Sequence, residues 1–416
     1  MRIDRKILEN IEKEQGDSFY ILDTEQFDKN FDALLDEFRV YYSNTNIAYS
    51  YKTNYIPRLC KIIDEKGGYA EVVSGMEMTL AEKLCVPSEK IYFNGPVKEN
   101  GYIEKLLKNG GKVNIDSWDE LLNVEQIAED NKQVFRLALR CNFDVDDGVI
   151  SRFGFDVGKD EFREAIQFIE NSKYLELIGL HTHVATRSLD SWENRTKRMV
   201  EVLENFFSGD LEKLQYISLG GGMSGSMAQE LKKQFSSYIP SFKEYAEVSS
   251  KVFSEYINGK GLKQNPELLI EPGTALAANS MLYVTKIVSI KQVQDRTIAT
   301  LSGSSYNIMP GGKNLPIKIY KKAELEHKSF DNIYFAGYTC IESDYLYKNY
   351  SGEIAVGDFI VFSEVGSYSV VMKPPFIKPN VSIIEILDNS QTTYKVIKRR
   401  ETFDDVFHTY LLKCEY

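Results

Sequence analysis

The most informative segment of the chain is Asn46-Ile47-Ala48-Tyr49-Ser50-Tyr51-Lys52-Thr53-Asn54. Its small, β-branched and aromatic residues predict a buried strand, and Asn54 with Pro57 marks a turn into a helix. The strand therefore ends on a lysine, whose amine is costly to remove from water unless something uses it. Two interpretations stay open: a surface lysine at a strand end, or an amine with a lowered pKa that attacks an aldehyde cofactor.

The same alternation of strand-like and helix-like segments continues from about residue 28 to about residue 280. The strand-like apolar runs are 47–49, 70–73, 91–93, 112–115, 135–139, 177–181, 216–219 and 268–270. Amphipathic stretches lie between them, and one begins with a capping box formed by Ser117 and Glu120. About eight strands that alternate with helices predict an α/β fold, a parallel (β/α)₈ barrel.

After Ala275 the pattern changes, because little of the remaining chain has the helical period. Strand-like runs occupy 281–290, 297–301, 332–336, 358–362 and 381–386, and another stands near the start of the chain at 18–22. This pattern predicts a second, mainly antiparallel β domain. We therefore assign residues 28–280 to the barrel and residues 1–27 plus 281–416 to the β domain.

The composition is that of an ordinary globular protein, with 416 residues, 43% hydrophobic and 27% charged. A net charge of -11 argues against nucleic acid as a partner. No apolar run reaches the roughly 20 residues needed to cross a bilayer, and the charged start is not a signal peptide. The cysteines are odd in number and form no CxxC pair: Cys60, Cys85, Cys141, Cys340 and Cys414. Together these features predict a cytoplasmic protein with reduced thiols and no zinc site.

Polar groups follow four of the predicted barrel strands, where a barrel collects its functional residues. They are Lys52, His183, the run Gly220, Gly221 and Gly222, and Glu271. Three glycines suit either an anion site or a plain loop. Glu271 suits either a helix cap or an acid against a ring nitrogen. His181 and His183 would share a face of a strand, but no third ligand at a usual spacing accompanies them, so we expect no metal. One shared pocket is the simplest account.

The motifs become specific when they are taken in order. In the barrel they are Tyr49-x-x-Lys52-x-Asn54, Val73-Ser74-Gly75-Met76-Glu77, Asn94-Gly95-Pro96-Val97-Lys98, Ser151-Arg152-Phe153-Gly154, His183 to Thr186, Gly220 to Gly222 and Glu271-Pro272-Gly273. In the β domain they are Cys340-x-x-x-Asp344 and Gly366-Ser367-Tyr368. From about Tyr20 to about Phe376 the chain resembles fold-type III pyridoxal-phosphate enzymes, which join an alanine-racemase-type barrel to a β domain. It is most similar to their decarboxylases of diaminopimelate, ornithine, lysine and arginine.

This resemblance implies pyridoxal 5'-phosphate as the cofactor and a role for each motif. Lys52 would form the Schiff base, His183 would stack on the pyridine ring, and Glu271 would keep the ring nitrogen protonated, so that the ring accepts the electrons left when CO₂ departs. Gly221, Gly222, Thr186 and Tyr368 would hold the phosphate, and Gly220 and Gly273 would complete the cofactor contacts. Cys340 would come from a second subunit and protonate the product, which implies a homodimer with shared sites. The resembling racemases place an arginine at the ring nitrogen, so Glu271 favours decarboxylation.

The chain departs from the family pattern at three charged positions. Thr274 replaces a common arginine after Glu-Pro-Gly that helps hold the phosphate. Leu315 or Pro316 replaces a second arginine, which meets a substrate carboxylate, and Ile341 replaces an acid after the cysteine, which meets a distal amine. The remaining candidates for substrate contacts are Glu342, Asp344, Ser302 and Phe376. The two acids suit a solvated loop equally well, and Phe376 suits core packing.

These departures predict a decarboxylase of a modified or specialised amino acid, free or bound to a carrier. The alternatives are an ordinary diamino-acid decarboxylase and a non-catalytic relative that binds the cofactor or a partner. A set of five retained residues argues against the non-catalytic alternative, because cofactor binding alone has no need of Cys340. The set is Lys52, His183, Glu271, Cys340 and Tyr368.

Overall fold

The computed structural model describes residues 3–387 and 393–412, and Cys414 lies outside this part of the chain. None of the helices described there is long and apolar enough to cross a membrane. The chain forms two compact units. The barrel unit comprises Asp28–Ser226 and Ser237–Leu276, and the β unit comprises Met1–Phe27, Met227–Ser236 and Ala277–Tyr416. The domain boundaries assigned from the sequence stay a prediction.

The elements have the following bounds. The strands are β1 (Phe19–Leu22), β2 (Thr45–Ser50), β3 (Tyr69–Val72), β4 (Ile91–Phe93), β5 (Lys112–Ile115), β6 (Phe135–Asn142), β7 (Phe155–Asp156), β8 (Leu175–His181), β9 (Tyr216–Ser218), β10 (Glu267–Ile270), β11 (Met281–Val293), β12 (Arg296–Leu301), β13 (Ile317–Tyr320), β14 (Lys328–Ala336), β15 (Tyr345–Ile354), β16 (Phe359–Phe362), β17 (Ile383–Ile386) and β18 (Tyr394–Lys398). The α-helices are α1 (Arg5–Gln15), α2 (Thr24–Tyr41), α3 (Pro57–Glu65), α4 (Gly75–Lys83), α5 (Asn100–Lys108), α6 (Trp118–Asn131), α7 (Asp160–Asn171), α8 (Leu189–Phe207), α9 (Gln229–Lys232), α10 (Phe242–Val248), α11 (Ser250–Asn258), α12 (Thr274–Ala277), α13 (Ser305–Ile308) and α14 (Phe403–Phe407).

The barrel unit is built around a closed parallel sheet, as the sequence predicts. Its strands pair in the order β2, β3, β4, β5, β6, β8, β9 and β10, and β10 returns to β2 with Leu268 opposite Thr45. The short β7 pairs with β6. The strands of such a barrel are buried on both faces, which explains why they appear in the sequence as continuous apolar runs rather than alternating ones. The predicted (β/α)₈ barrel is confirmed.

The β unit is a mainly antiparallel sheet organised on the long strand β11, which pairs with β1, β12 and β16. The N-terminal β1 also pairs in parallel with β17, so its assignment to this sheet is confirmed. Helix α1 packs on the sheet through Ile7, Leu8 and Ile11. The sequence did not predict α1, β13, β15 or β18.

The segment 46–54 folds as its residues indicate. Strand β2 ends at Ser50, a 3-10 turn covers Tyr51–Thr53, and α3 begins with Pro57 in its first turn. Proline is favoured there because its missing N–H would have no partner inside the helix. Lys52 therefore lies in the turn at the carboxyl end of a barrel strand.

Candidate active site

The carboxyl ends of four barrel strands carry the predicted cofactor residues. Lys52 follows β2, His183 follows β8, Gly220 to Gly222 follow β9, and Glu271 follows β10. Thr186, half-buried, lies in the same loop as His183, and Gly273 lies just after Glu271. Since the strands are parallel and closed, all these groups belong to one mouth of the barrel.

Lys52 is paired with a buried acid of the neighbouring strand. Its Nζ donates to the carboxylate of Glu71 on β3 and lies 3.4 Å from Ser50 Oγ. The side chain of Lys52 is 31% exposed and that of Glu71 is 1% exposed. The amine therefore faces the barrel mouth with a carboxylate in direct contact, which argues against an ordinary surface lysine.

A network of side chains connects this pair to Glu271. Asn94 Nδ2 donates to Glu71 Oε1 at 3.0 Å and to Glu271 Oε2 at 3.2 Å. The sequence reasoning missed Glu71 and Asn94 as site residues. A signal existed for Glu71, because an acid inside the apolar run 70–73 is buried only when it is paired.

Glu271 is a buried carboxylate held by its neighbours on β8 and β9. Ser218 Oγ donates to it at 2.7 Å, and His181 Nε2 lies 3.2 Å from it. Burial opposes ionisation of Glu271, but the adjacent His181 holds its pKa well below the usual range. These contacts favour an ionised acid aimed into the barrel over a helix cap.

His183 is arranged as a neutral ring. Its Nδ1 accepts a hydrogen bond from the Gly221 N–H at 3.0 Å and lies 3.8 Å from Glu271. Burial lowers the pKa of His183 to about 4. The proton of the neutral imidazole therefore belongs on Nε2. Among the described residues no group of three potential ligands is placed to hold a metal ion, and His181 and His183 contact the same carboxylate.

The glycines after β9 permit close contact between two loops. Gly220 and Gly222 have φ of 71° and 82°. A Cβ at Gly220 would stand 2.3 Å from Thr182 O, and one at Gly222 would stand 2.3 Å from Val184 O. The loops after β8 and β9 therefore approach each other too closely for a side chain at Gly220 or Gly222. An ordinary loop would not require glycine at these positions.

The β unit holds the predicted cysteine and acids. Cys340 is exposed, in the loop between β14 and β15. Asp344, on the same loop, is buried and accepts from Ser304 Oγ at 3.0 Å, Ser305 Oγ at 2.7 Å and Thr339 Oγ1 at 2.6 Å. The solvated-loop interpretation of Asp344 is therefore wrong, whereas it stays open for the exposed Glu342.

The other predicted residues of the β unit differ in exposure. Ser302 is buried, and its hydroxyl contacts Thr285 Oγ1 at 3.0 Å and donates to Asp17 O at 2.8 Å. Tyr368 is half-buried. Phe376 is 40% exposed, so it is not an ordinary core residue. The substrate roles of Ser302, Asp344, Glu342 and Phe376 and the cofactor role of Tyr368 stay predictions.

The departures from the family pattern have structural counterparts. Thr274 Oγ1 accepts a hydrogen bond from Arg187 Nη2 at 3.2 Å, so a guanidinium stands beside the position where the resemblance expects arginine. The sequence reasoning missed Arg187. Leu315 or Pro316 stands where the family pattern has its second arginine. Leu315 is buried, and the carbonyl of Pro316 accepts from the Ser363 N–H at 3.0 Å.

The residues at the barrel mouth match the chemical groups of pyridoxal phosphate. The amine of Lys52 suits an aldehyde, the ionised Glu271 suits a protonated ring nitrogen, and the neutral His183 suits the face of a ring. The loop after β9 has no side chains at Gly220 to Gly222, which suits an anion that is bound by backbone N–H groups. The donor set therefore fits this cofactor.

Comparisons with known proteins agree. Residues 25–278 match the family described as "Pyridoxal-dependent decarboxylase, pyridoxal binding domain". Diaminopimelate decarboxylase of Archaeoglobus fulgidus is 24% identical over 95% of this chain and 93% of its own length. The L-glutamyl-[BtrI acyl-carrier protein] decarboxylase of Niallia circulans is 24% identical over 99% and 97%. The structure of diaminopimelate decarboxylase from Helicobacter pylori complexed with L-lysine has the same fold, with a TM-score of 0.82 at 20% identity over 97% of this chain and 98% of that one. Because the family match spans more than half of the chain, the protein belongs to the pyridoxal-dependent decarboxylase family and is a pyridoxal-phosphate-dependent amino-acid decarboxylase.

Proposed function

We propose that the protein decarboxylates an amino acid whose distal end differs from that of diaminopimelate, either free or joined to a carrier. The observation that carries this proposal is the loss of charge at the substrate positions, where Leu315 or Pro316 replaces an arginine and Ile341 replaces an acid of the family pattern. A distal carboxylate or amine would lose its charged partner there, and such partners are a main source of specificity. The Niallia circulans relative, whose name specifies a carrier-bound glutamyl substrate, supports the carrier-bound form.

Each barrel residue has a proposed task. Pyridoxal phosphate, when bound, supplies the aldehyde and the electron-accepting ring. Glu71 is in direct contact with Lys52 Nζ, holds the amine at the barrel mouth and is placed to accept the proton that the amine gives up. Glu271 stays ionised and holds a proton at the ring nitrogen, while Ser218 and His181 fix its orientation. His183 is neutral and packs against the ring without adding charge.

Cys340 is proposed to act in a site shared between two subunits. Its thiol is exposed on the single chain, as a group that serves a partner's site must be. Mixing Lys52→Ala with Cys340→Ala tests this arrangement. Each variant alone should be inactive or nearly so, and the mixture should recover up to about a quarter of the wild-type activity, because one of the two sites in each mixed dimer is intact. If two variants of low activity give no recovery when mixed, the shared site is excluded.

The substrate proposal is tested by spectroscopy and CO₂ trapping. The purified protein should show a visible cofactor band that Lys52→Ala removes, and Lys61→Ala should retain it, because Lys61 is a surface lysine paired with Asp64 at 2.7 Å. A panel then compares L- and D-amino acids, including diaminopimelate, ornithine and lysine, with aminoacyl groups on a carrier protein. CO₂ release from a modified or carrier-bound amino acid supports the proposal.

The same panel decides the second candidate, an ordinary diaminopimelate decarboxylase, which the similarity to the Archaeoglobus fulgidus enzyme favours. CO₂ release from free diaminopimelate at a rate far above the other substrates would replace the proposal with that activity. A cofactor band without CO₂ release from any member of the panel would overturn both candidates.

A further inference from the structure

Arg195 on α8 is an unusual buried cation. Its side chain is 0% exposed, and among the described residues no carboxylate lies within salt-bridge distance of it. Burial lowers its pKa to about 9, which still leaves the guanidinium charged at neutral pH. A buried charge is costly to maintain without compensation, so the contacts of this side chain require an explanation.

The compensation comes from backbone carbonyls of two loops. Arg195 Nη1 donates to Leu219 O at 3.0 Å and to Gly221 O at 2.6 Å, in the loop after β9. Its Nη2 donates to Val184 O at 2.9 Å and to Thr186 O at 3.4 Å, in the loop after β8. One side chain therefore ties together the two loops that carry the predicted phosphate contacts.

Trp192, three residues earlier on α8, completes this support. Its Nε1 donates to Gly222 O at 2.7 Å, and its ring lies 4.2 Å from the guanidinium of Arg195. Trp192 and Arg195 thus draw carbonyls of both loops toward the helix. The carbonyl of a trans peptide and the next N–H point in opposite directions. The N–H groups of Gly222 and Ala185 are consequently turned away from α8.

We propose that Arg195 is a positioning residue for the phosphate of pyridoxal phosphate: it locks the two loops with their N–H groups turned outward and adds a buried positive charge behind them. This inference rests on the cofactor contacts predicted from the sequence for Thr186 and Gly220 to Gly222. A positive charge in a poorly solvated interior acts strongly on a nearby dianion. The side chain does not itself need to touch the phosphate.

Binding measurements on the full-length apoprotein test the proposal. Pyridoxal phosphate and pyridoxal differ only in the phosphate, so the ratio of their dissociation constants isolates that group. Arg195→Met should weaken pyridoxal phosphate binding by roughly 10- to 100-fold and pyridoxal binding by less than about 3-fold. Arg195→Lys, which retains the charge but has fewer donors, should fall between Arg195→Met and wild type. Equal weakening of both ligands, or of neither, would overturn the proposal.

Arg5→Met is the control. Arg5 also donates to a backbone carbonyl, Gly357 O at 2.9 Å, and lies 5.0 Å from the ring of Phe359, but it is paired with Glu9 at 2.8 Å and belongs to the β unit. Its loss should lower stability without changing the ratio of the two dissociation constants. If Arg5→Met changed this ratio as much as Arg195→Met does, the ratio would only report a general loss of stability, and the inference would be wrong.

A measurement on the wild-type protein guards against variants that do not fold. The phosphate of free pyridoxal phosphate takes up a proton near pH 6, as phosphate monoesters do. In the complex its ³¹P resonance should stay constant from about pH 5 to 8, and a titration like that of the free cofactor would overturn the proposal. None of these measurements uses CO₂ release, so failure of the substrate proposal would leave them interpretable.

Discussion

Two sets of buried acids in this molecule are used in different ways. In the barrel unit Glu71 and Glu271 share Asn94 and converge with Lys52 on the open mouth of the sheet. In the β unit the buried Asp344 accepts hydrogen bonds from Ser304, Ser305 and Thr339. The closed parallel sheet thus concentrates reactive groups, whereas Asp344 fixes the loop that presents Cys340.

The largest effect expected from this contrast concerns Glu271. Glu271→Gln keeps the size of the side chain but removes the charge that holds a proton on the cofactor ring. We expect kcat/KM for the identified substrate to fall by roughly 10²- to 10³-fold, the usual cost of removing a positioned electrostatic partner, with the far-UV circular dichroism unchanged. Ser218→Ala, which removes one donor to Glu271, is the control and should cost much less. Comparable losses in both variants would mean that the hydroxyl, and not the charge, is decisive.

Asp344→Ala should act on stability instead. The substitution leaves the hydroxyl groups of Ser304, Ser305 and Thr339 without their buried acceptor, so we expect the free energy of unfolding in urea to drop by about 2–4 kcal/mol. Glu342→Gln, on the exposed part of the same loop, should stay within about 0.5 kcal/mol. If Asp344→Ala instead retained full stability and raised KM, Asp344 would be the substrate contact predicted from the sequence.

The barrel was predictable because its strands are buried on both faces and leave continuous apolar runs, such as 91–93 and 268–270. The strands that were not predicted are partly exposed to solvent. In β15 (Tyr345–Ile354) buried, half-buried and exposed residues are mixed, so no period of two survives. Helix α1 was missed although Ile7, Leu8 and Ile11 lie on one helical face.

Residues of the candidate site were predictable where a motif follows a strand. Contacts with residues distant in the chain were harder to predict. Outside the site, the capping box of α6 shows this: Ser117 Oγ accepts from the Glu120 N–H at 3.4 Å, as predicted, but the Glu120 carboxylate accepts from the Asp116 N–H and is paired with the buried Lys98. Arg195 is another example, because an arginine in an amphipathic helix gives no indication that it will be buried against two loops.

The buried groups of the barrel can also be tested through the pH dependence of stability, which should reflect the lowered pKa of His183. The folded protein lowers the pKa of His183 from 6.5 to about 4, so between these values the unfolded chain binds a proton that the folded chain does not. Its contribution to stability is therefore fully present above about pH 6.5 and is lost as the pH falls toward 4. In the apoprotein we expect the difference in unfolding free energy between wild type and His183→Asn to shrink by about 1–2 kcal/mol over this window. The exposed His408→Asn provides the baseline, and a constant difference for His183→Asn would contradict the assignment of a neutral ring.

A last prediction asks whether Arg187 supplies the positive charge that is lost where Thr274 replaces the family arginine. We expect this effect to be small. The guanidinium of Arg187 contacts Thr274 but is exposed, so solvent screens its charge. Arg187→Gln should weaken pyridoxal phosphate binding by only about 2- to 5-fold, and less at high salt. Adding Thr274→Arg to this variant should restore affinity, whereas Thr274→Arg alone crowds two cations and should not improve it. If the two substitutions act independently in this double-mutant cycle, the two positions are not exchanging one charge, and the missing arginine has no replacement at this site.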